Sequence, residues 1–181
     1  MFFSKTFKVV AVPVILRQGS CGIEIHTQTR HVINKDYDPL YDNTYETCGE
    51  TLEPGESVIS AALRGCAEEM GVPDFQPQKL IGADAKNYNT RDEDEILGFE
   101  PYYYVQQMRG PQPWVGLVFI VVVDSDFEPR LDKEGEVSAH QWWAPAELYT
   151  LLRNSPEKFM GFHYPALLKI CSDILEGKLK A

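Results

Sequence analysis

A group of charged side chains at fixed spacing carries the clearest chemical signal in this sequence. Residues 49–72 read GETLEPGESVISAALRGCAEEMGV, in which a turn rich in Gly and Pro runs into an amphipathic helix. That helix carries Arg64, Glu68 and Glu69 near its end, and it stops at Gly71. A loop that leads into a helix with clustered carboxylates can hold a divalent cation against a diphosphate.

The same stretch resembles the signature of the Nudix hydrolases, G-x5-E-x7-R-E-U-x-E-E-x-G-U, in which U is an aliphatic residue. Counted back from the glycine near the helix end, the signature matches at Glu56, Arg64, Cys66, Glu68, Glu69, Gly71 and Val72. The entry to the signature also matches, at Gly49, Glu53, Pro54 and Gly55. The resemblance implies an α+β or α/β fold in which a mixed β-sheet is sandwiched between helices. It also implies hydrolysis of a diphosphate linkage in a nucleoside triphosphate, nucleotide sugar or dinucleotide.

The resemblance further implies a role for the matching residues. In the family, the positions of Glu68 and Glu69 hold magnesium or manganese, and the backbone carbonyl at the position of Gly49 contributes to the same site. The positions of Glu56 and Arg64 brace the loop against the helix through an ion pair. Metal ions in such a site bridge phosphate oxygens, neutralise their charge and position a water for attack on phosphorus.

Two positions depart from the signature. Gly65 stands where the family has a metal-binding Glu, and a glycine inside a helix costs about 1 kcal/mol relative to alanine. Glu50 stands where the signature opens with Gly, a residue that permits a positive φ which Glu adopts only with strain. One hypothesis joins the two changes: the Glu50 carboxylate reaches the gap at position 65 and restores a metal ligand. Independent drift of the two positions is the alternative.

Two later carboxylates are candidates for the general base. In several Nudix hydrolases, a Glu on the loop before a late strand that contains Trp acts as base or additional ligand. Here Glu136 lies six residues before Trp142, and Glu134 lies two residues earlier. Because Gly65 cannot accept a proton, the resemblance favours Glu136 as the base, with Glu134 next.

Three alternatives to a metal-dependent hydrolase stay open. Glu68 and Glu69 are also consistent with solvated charges at a helix end, although negative charge there opposes the helix dipole. A chain that lacks the Glu at position 65 is also consistent with a Nudix-fold module that binds a nucleotide or regulates another activity without hydrolysis. An unrelated α+β domain with a chance match is the third alternative. Residues 91–95 read as a solvated acidic loop rather than a second metal site.

Composition limits the class of protein. A chain of 181 residues is expected to form one domain over residues 1–181, and its composition is ordinary for a globular protein. The net charge of −10 argues against binding to a nucleic-acid polymer, because such binding needs clustered Lys and Arg. The four cysteines show no metal or redox spacing, so we expect reduced thiols and a cytoplasmic location. No apolar run is long enough to span a membrane, and the family resemblance makes a homodimer a further possibility.

The expected elements follow from the hydrophobic pattern. Strands are predicted over 7–17, 22–29, 78–85, 99–108 and 114–124, the last as a central strand, and a short strand is predicted around Gln141, Trp142 and Trp143. The second strand alternates apolar and polar residues, which is typical of a strand buried on one face. Helices are predicted to begin at Glu56 or Ser57 and to span about 145–154 and 163–176, with polar loops over 31–44, 86–98 and 125–137. The four histidines receive no role. Arg30 and Arg109 are possible contacts to a substrate phosphate or base, with a surface position favoured for each.

Overall fold

A mixed β-sheet forms the centre of the molecule. The computed structural model describes residues 7–32, 41–109, 113–131 and 133–180. The strands of the main sheet are β1 (Lys8–Gly19), β2 (Gly22–Arg30), β3 (Tyr45–Glu46), β4 (Glu50–Thr51), β5 (Lys79–Ile81), β8 (Tyr103–Gln107), β9 (Trp114–Val123) and β10 (Val137–Trp143). Their order in the sheet is β10-β2-β1-β9-β5, with β3 paired to β2, β4 to β1 and β8 to β9. The β1–β9 pair is parallel and all other pairs are antiparallel, so the sheet is mixed, as predicted.

Helices cover both faces of this sheet. α1 (Val58–Glu69) lies on one face, while α2 (Pro145–Asn154) and α3 (Tyr164–Leu175) lie on the other, and a short 3-10 helix spans Pro156–Lys158. Alternate residues of β1 serve the two layers: Val12 and Val14 pack in the cluster of α2 and α3, whereas Ala11 packs with α1. This alternation follows from the two-residue period of a strand, and it places α1 on a rigid base.

The antiparallel strands β1 and β2 part in the middle of the sheet. β1 and β2 pair from the turn at Gly19 and Gly22 only as far as Leu16 and Ile25. Beyond that point the chain from residue 45 to 51 fills the gap, because β3 pairs with β2 and β4 pairs with β1. Thr47 ties this segment to the sheet by donating from Oγ1 to the carbonyl of Pro13 at 2.6 Å. The segment therefore lies directly beside the helix that follows it.

The caps of α1 are those that the sequence predicts. Ser57 is the N-cap, and its Oγ accepts a hydrogen bond from the backbone N–H of Ser60 at 3.0 Å. Met70 is the C-cap and Gly71 follows with a φ of 62°, which is the left-handed conformation that ends many helices. A Cβ on Gly71 would also lie 2.9 Å from the carbonyl oxygen of Arg130, so the loop after β9 approaches closely here.

Several sequence expectations needed correction. β2 is buried on both faces, because His26 and Gln28 are as inaccessible as Ile25. Its polar residues are hydrogen-bonded inside the protein instead of facing solvent. Residues 86–98 form a small hairpin, β6 (Lys86–Asn87) with β7 (Leu97–Gly98), where a loop was expected. β5 and β8 are shorter than predicted, and the expected loop over 31–44 lies partly outside the described residues.

Within the described part of the chain, no helix is both long and apolar enough to cross a bilayer. All four cysteines are free; Cys21 is exposed, and Cys48, Cys66 and Cys171 are buried.

A buried carboxylate fastens α3 to the sheet. Asp173 is 4% exposed. It accepts hydrogen bonds from the hydroxyl of Tyr102, a residue just before β8, and from the ammonium of Lys169, one turn earlier in α3. Burial alone would raise the pKa of Asp173, but the hydrogen bonds from Lys169 and Tyr102 outweigh it and lower the pKa below its usual value. The ionised form of this side chain therefore stabilises the folded state.

We expect Asp173→Asn to lower the free energy of unfolding by about 1–3 kcal/mol at neutral pH, because the amide cannot replace a charged acceptor for Lys169. The folded pKa is depressed, so the contribution of Asp173 is complete above the unfolded pKa of about 4 and is lost as pH falls through the folded pKa. Urea unfolding of both proteins between pH 2 and 7 measures this, with Tyr102→Phe as a milder control. An unchanged difference between Asp173→Asn and the wild type across that range would contradict the assignment.

Candidate active site

One large cleft brings most of the sequence-predicted site residues together. It has a volume of about 1110 Å³ and lies between the end of α1, the segment around β3 and β4, and the loop before β10. The predicted residues that line it are Gly49, Glu50, Arg64, Glu68, Glu69, Glu134 and Glu136. Glu56 is absent from the lining but is bonded to Arg64 behind it. The cleft therefore contains seven of the eight residues chosen from the sequence.

Arg64 joins the loop to the helix. Its Nε and one terminal nitrogen donate to the two carboxylate oxygens of Glu56 at 3.0 and 2.9 Å, and the same terminal nitrogen donates to the Thr51 carbonyl at 3.1 Å. The other terminal nitrogen lies 3.2 Å from Glu50 and 3.8 Å from Glu68. A planar guanidinium can make such paired contacts in several directions at once. The hydrogen bond from Arg64 lowers the pKa of Glu56, as expected for a bracing ion pair.

The two departures from the signature occupy the same space. A Cβ atom on Gly65 would lie 2.8 Å from the Cβ of Glu50, a distance that side chains do not tolerate. Glu50 itself is in β4, opposite Ala11, and directs its carboxylate to Arg64 and to the backbone N–H of Thr51. The backbone of Glu50 is not strained, because among the described residues Asn43 is the only non-glycine with a positive φ. The side chain of Glu50 therefore occupies the space that a side chain at position 65 would need.

Glu69 is held by polar groups from the sheet. Gln28 donates to one of its carboxylate oxygens, and the backbone N–H of Gly49 donates to the other at 3.4 Å. The amide of Gln28 also donates to Glu46 at 3.3 Å, so one side chain bridges two carboxylates. Burial raises the pKa of Glu69 well above its usual value, and the neighbouring Glu46 raises it further. A cation close to this carboxylate would stabilise its ionised form.

Glu46 is the buried member of this group. It is 3% exposed, and its partners are Gln28 and a terminal nitrogen of Arg30 at 3.4 Å. Burial raises its pKa, Arg30 opposes that effect, and the charge of Glu136 adds to it. Glu136 therefore lies close enough to the acidic centre for its charge to act there, and both Glu136 and Glu134 are exposed in the lining of the cleft.

An imidazole lies against the backbone that enters the site. His163 is 4% exposed, and its Nδ1 accepts the backbone N–H of Thr47 at 3.1 Å. Burial lowers the pKa of His163 to about 3, and the nearby charge of Arg30 lowers it further. A Cβ on Gly49 would lie 3.1 Å from Cε1 and Nε2 of this ring, which is tighter than ordinary contact. Gly49 is thus small because His163 packs over it.

The donor set suits a hard divalent cation such as Mg²⁺ or Mn²⁺. Carboxylate and carbonyl oxygens are the ligands that such ions take, and Glu68, Glu69, Glu50 and the Gly49 backbone supply them at one edge of the cleft. The raised pKa of the Glu69 carboxylate fits the same role. Across residues 7–32, 41–109, 113–131 and 133–180, however, no three His, Cys, Asp or Glu side chains already converge as a ready ligand cage. Arg64 and Gln28 hold these carboxylates in other contacts.

Sequence reasoning missed four residues of this site. Gln28, Glu46 and His163 received no role, and for Arg30 a surface position was favoured over a substrate contact. Arg30, Glu46 and His163 nevertheless line the cleft, and Gln28 is bonded to Glu69. The pairing of Gln28 with Glu46 across β2 and β3 depends on register between distant strands. The sequence did contain one signal, the polar residues at alternate positions of β2. These residues share one face of the strand, and that face points into the protein once the strand is known to be central.

We expect Arg64→Lys to lower the free energy of unfolding by about 1–2 kcal/mol, because an ammonium cannot replace the paired contacts to Glu56 and the bond to Thr51. Arg91→Lys, in an exposed loop, is the matched control and leaves stability unchanged. Chemical denaturation of the three proteins at neutral pH measures the difference. Equal stability of Arg64→Lys and wild type would show that the brace is not needed.

Comparison with known proteins agrees with this architecture. The model of the NUDIX domain matches residues 7–162. A search of curated proteins by sequence found no match. Among solved structures, a NUDIX hydrolase from Alicyclobacillus acidocaldarius is 15% identical with a TM-score of 0.64, over 98% of this chain and 99% of that one.

Two other structures have the same fold. The NUDIX domain of Shewanella oneidensis NrtR, determined with ADP ribose, is 14% identical with a TM-score of 0.59, over 94% of this chain and 90% of that one. A C. elegans Ap4A hydrolase binary complex is 15% identical with a TM-score of 0.58, over 94% and 98%. At such identity these likenesses concern the fold alone. The match of the family model to most of the sequence, together with the sheet and the glutamate-rich cleft, shows that the chain belongs to the NUDIX family.

Proposed function

We propose that this protein hydrolyses a diphosphate linkage in a nucleoside diphosphate derivative, with Mg²⁺ or Mn²⁺ as cofactor. The substrate class covers nucleoside triphosphates, nucleotide sugars and dinucleotides. The observation that carries the proposal is the placement of Glu69, a desolvated carboxylate with a raised pKa, between the Gly49 backbone and the cleft. Family membership supplies the reaction class, and structures with the same fold contain ADP ribose or are named Ap4A hydrolases.

In this proposal each residue has a defined task. Glu68 and Glu69, with the Gly49 carbonyl, hold the cation, which when bound neutralises phosphate charge and polarises the phosphoryl oxygen. Glu136 accepts the proton of the attacking water, and Glu134 is the second candidate for that task. The water oxygen forms a bond to phosphorus as the bond to the bridging oxygen breaks, so two phosphate products leave. Glu56 and Arg64 keep the loop and the helix in register.

Glu50 is proposed as the replacement for the missing helix carboxylate. Its side chain starts 2.8 Å from the place where a Cβ at position 65 would be, and its carboxylate lies beside Arg64 in the cleft. A glutamate that reaches the same volume from the neighbouring strand can present oxygen ligands to the same cation. The two changes then compensate each other.

A second candidate function is nucleotide binding or regulation without hydrolysis. The loss of a carboxylate at Gly65 favours it, because a cation with one protein ligand fewer is bound more weakly and is held less firmly against the phosphate. The two candidates differ in turnover and share the cleft. Homodimer formation, a cytoplasmic location and the lack of binding to nucleic-acid polymers or membranes stay predictions under either candidate.

A panel of substrates tests the main proposal. ADP-ribose, a nucleotide sugar, Ap4A and nucleoside triphosphates are incubated with and without Mg²⁺, and released phosphate, pyrophosphate and nucleoside monophosphate are measured. We expect turnover of one class only with the metal, and a loss of about 100-fold or more in Glu69→Gln. Glu93→Gln, on the exposed hairpin, keeps wild-type rates. Binding without turnover across the panel would favour the second candidate.

The exchange between positions 50 and 65 has its own test. We expect Glu50→Gln to weaken Mn²⁺ binding by about 10- to 100-fold, as Glu69→Gln does. Gly65→Glu alone collides with Glu50 and lowers stability, whereas the double variant Glu50→Gly with Gly65→Glu recovers both stability and Mn²⁺ affinity. Electron paramagnetic resonance of Mn²⁺ and thermal melting measure these effects without turnover. Wild-type affinity in Glu50→Gln would discard the compensation.

A further inference from the structure

The hydrogen bonds of His163 fix its protonation state. The backbone N–H of Thr47 donates to Nδ1 at 3.1 Å, so Nδ1 presents its lone pair and carries no proton. A neutral imidazole with a bare Nδ1 has its proton on Nε2. The ring is therefore a donor at Nε2, and it has no positive charge.

This donor is left over once the hydrogen bond to Thr47 is made. Among the described residues, no acceptor is hydrogen-bonded to Nε2 of His163, although the side chain is 4% exposed and borders the cleft. A ring nitrogen at the border of a cleft is free to donate to the solvent or to a bound ligand. Nε2 would lie 3.1 Å from a Cβ at position 49, so only a glycine there leaves this edge of the ring uncovered.

Arg30 provides a second unused donor on the same side of the cleft. One terminal nitrogen pairs with Glu46 at 3.4 Å, while its Nε is buried without a partner among the described residues. The charge of Arg30 also acts on the His163 ring, which places the two side chains near each other. Because this Nε is shielded from solvent, a ligand would bond it only if the Arg30 side chain moved.

Neutrality gives His163 a distinct advantage in an acidic cleft. The cationic groups Arg30 and Arg64 are already engaged by Glu46, Glu50 and Glu56. A neutral N–H gains less from a nearby carboxylate than a cation does, so it remains available to an incoming anion. Its position is held by the backbone at Thr47, which means that it loses little conformational entropy on binding.

We propose that His163 donates its Nε2–H to a non-bridging phosphate oxygen of the diphosphate substrate, beside Gly49. The inference rests on the proposed function, because it assigns a binding residue to the same cleft. His163 is a substrate-binding donor, and no proton transfer is assigned to it.

Two variants separate the two nitrogens of the ring. The amide of Asn superposes on Nδ1, so His163→Asn keeps an acceptor for Thr47 and removes the donor in the cleft. The amide of Gln superposes on Nε2, so His163→Gln keeps a donor in the cleft and removes the acceptor for Thr47. The probe is α,β-methylene-ADP with Mg²⁺, whose carbon bridge resists hydrolysis, and affinity is measured by calorimetry with adenosine as the ligand that lacks phosphate.

We expect His163→Asn to bind α,β-methylene-ADP about 10- to 100-fold more weakly than wild type, and His163→Gln to bind within about threefold. Thermal melting shows the reverse order, with His163→Gln the less stable. Adenosine affinity is unchanged in both. Wild-type affinity in a folded His163→Asn, or an equal loss for adenosine, would overturn the assignment.

Measurements on the wild-type protein keep the inference testable if a variant does not fold. Nitrogen-15 spectra of the histidines are expected to show the Nε2-protonated form of His163, with an Nε2 shift on addition of α,β-methylene-ADP. A bound nucleotide with an unmoved Nε2 signal overturns the role of His163 and leaves the hydrolase proposal intact. A wild-type protein that neither binds α,β-methylene-ADP nor hydrolyses the panel overturns both.

Discussion

The position of Glu69 depends on hydrogen bonds from two different parts of the sheet. Gln28 from β2 and the backbone N–H of Gly49 hold the two oxygens of this carboxylate at the end of α1. Neither donor carries a formal charge, so the carboxylate is placed without being neutralised. The strands β1 and β2 must part for this to happen, because the segment with Gly49 lies in the gap between them. The way the strands pair in this sheet therefore determines where the carboxylate of Glu69 lies in the cleft.

Much of the frame could be predicted from the sequence. The cap at Ser57, the left-handed Gly71 and the apolar stripe of α1 are local signals, and all three agree with the structure. The Glu56–Arg64 ion pair also agrees, because its members lie within one loop and one helix. Each of these features depends on residues that are close in the chain, where spacing and backbone geometry determine contact.

The missed features depend on distant pairings. His163 meets Thr47 across more than a hundred residues, and Gln28 meets Glu46 only through the register of β2 and β3. The alternation of polar and apolar residues in β2 predicted one solvent face, but both faces are covered: Ile25 packs in the cluster of α2 and α3, whereas Gln28 lies against Glu69 of α1. The pattern of a strand gives its period; what covers each face is decided by tertiary structure.

The charge of the cleft limits what can bind there. Its described lining contains seven glutamates, Glu46, Glu50, Glu53, Glu68, Glu69, Glu134 and Glu136, and four cationic side chains, Arg30, Arg64, Arg130 and Lys133. Arg30 and Arg64 are engaged with glutamates of the cleft, so the positive charge left for a phosphate is that of Arg130 and Lys133 against seven glutamates. An anionic diphosphate would be repelled unless positive charge accompanies it or glutamates take up protons.

Affinity for the substrate and affinity for a cation are then linked, since each ligand reduces the electrostatic cost of binding the other. In the proposed exchange, a glutamate on β4 in place of one on α1 keeps the number of carboxylates in that balance, whereas an uncompensated loss would change it. Glu50 and a side chain at position 65 exclude each other sterically. Such a pair fits a site in which the carboxylate comes from either the strand or the helix, so long as the number of carboxylates is kept.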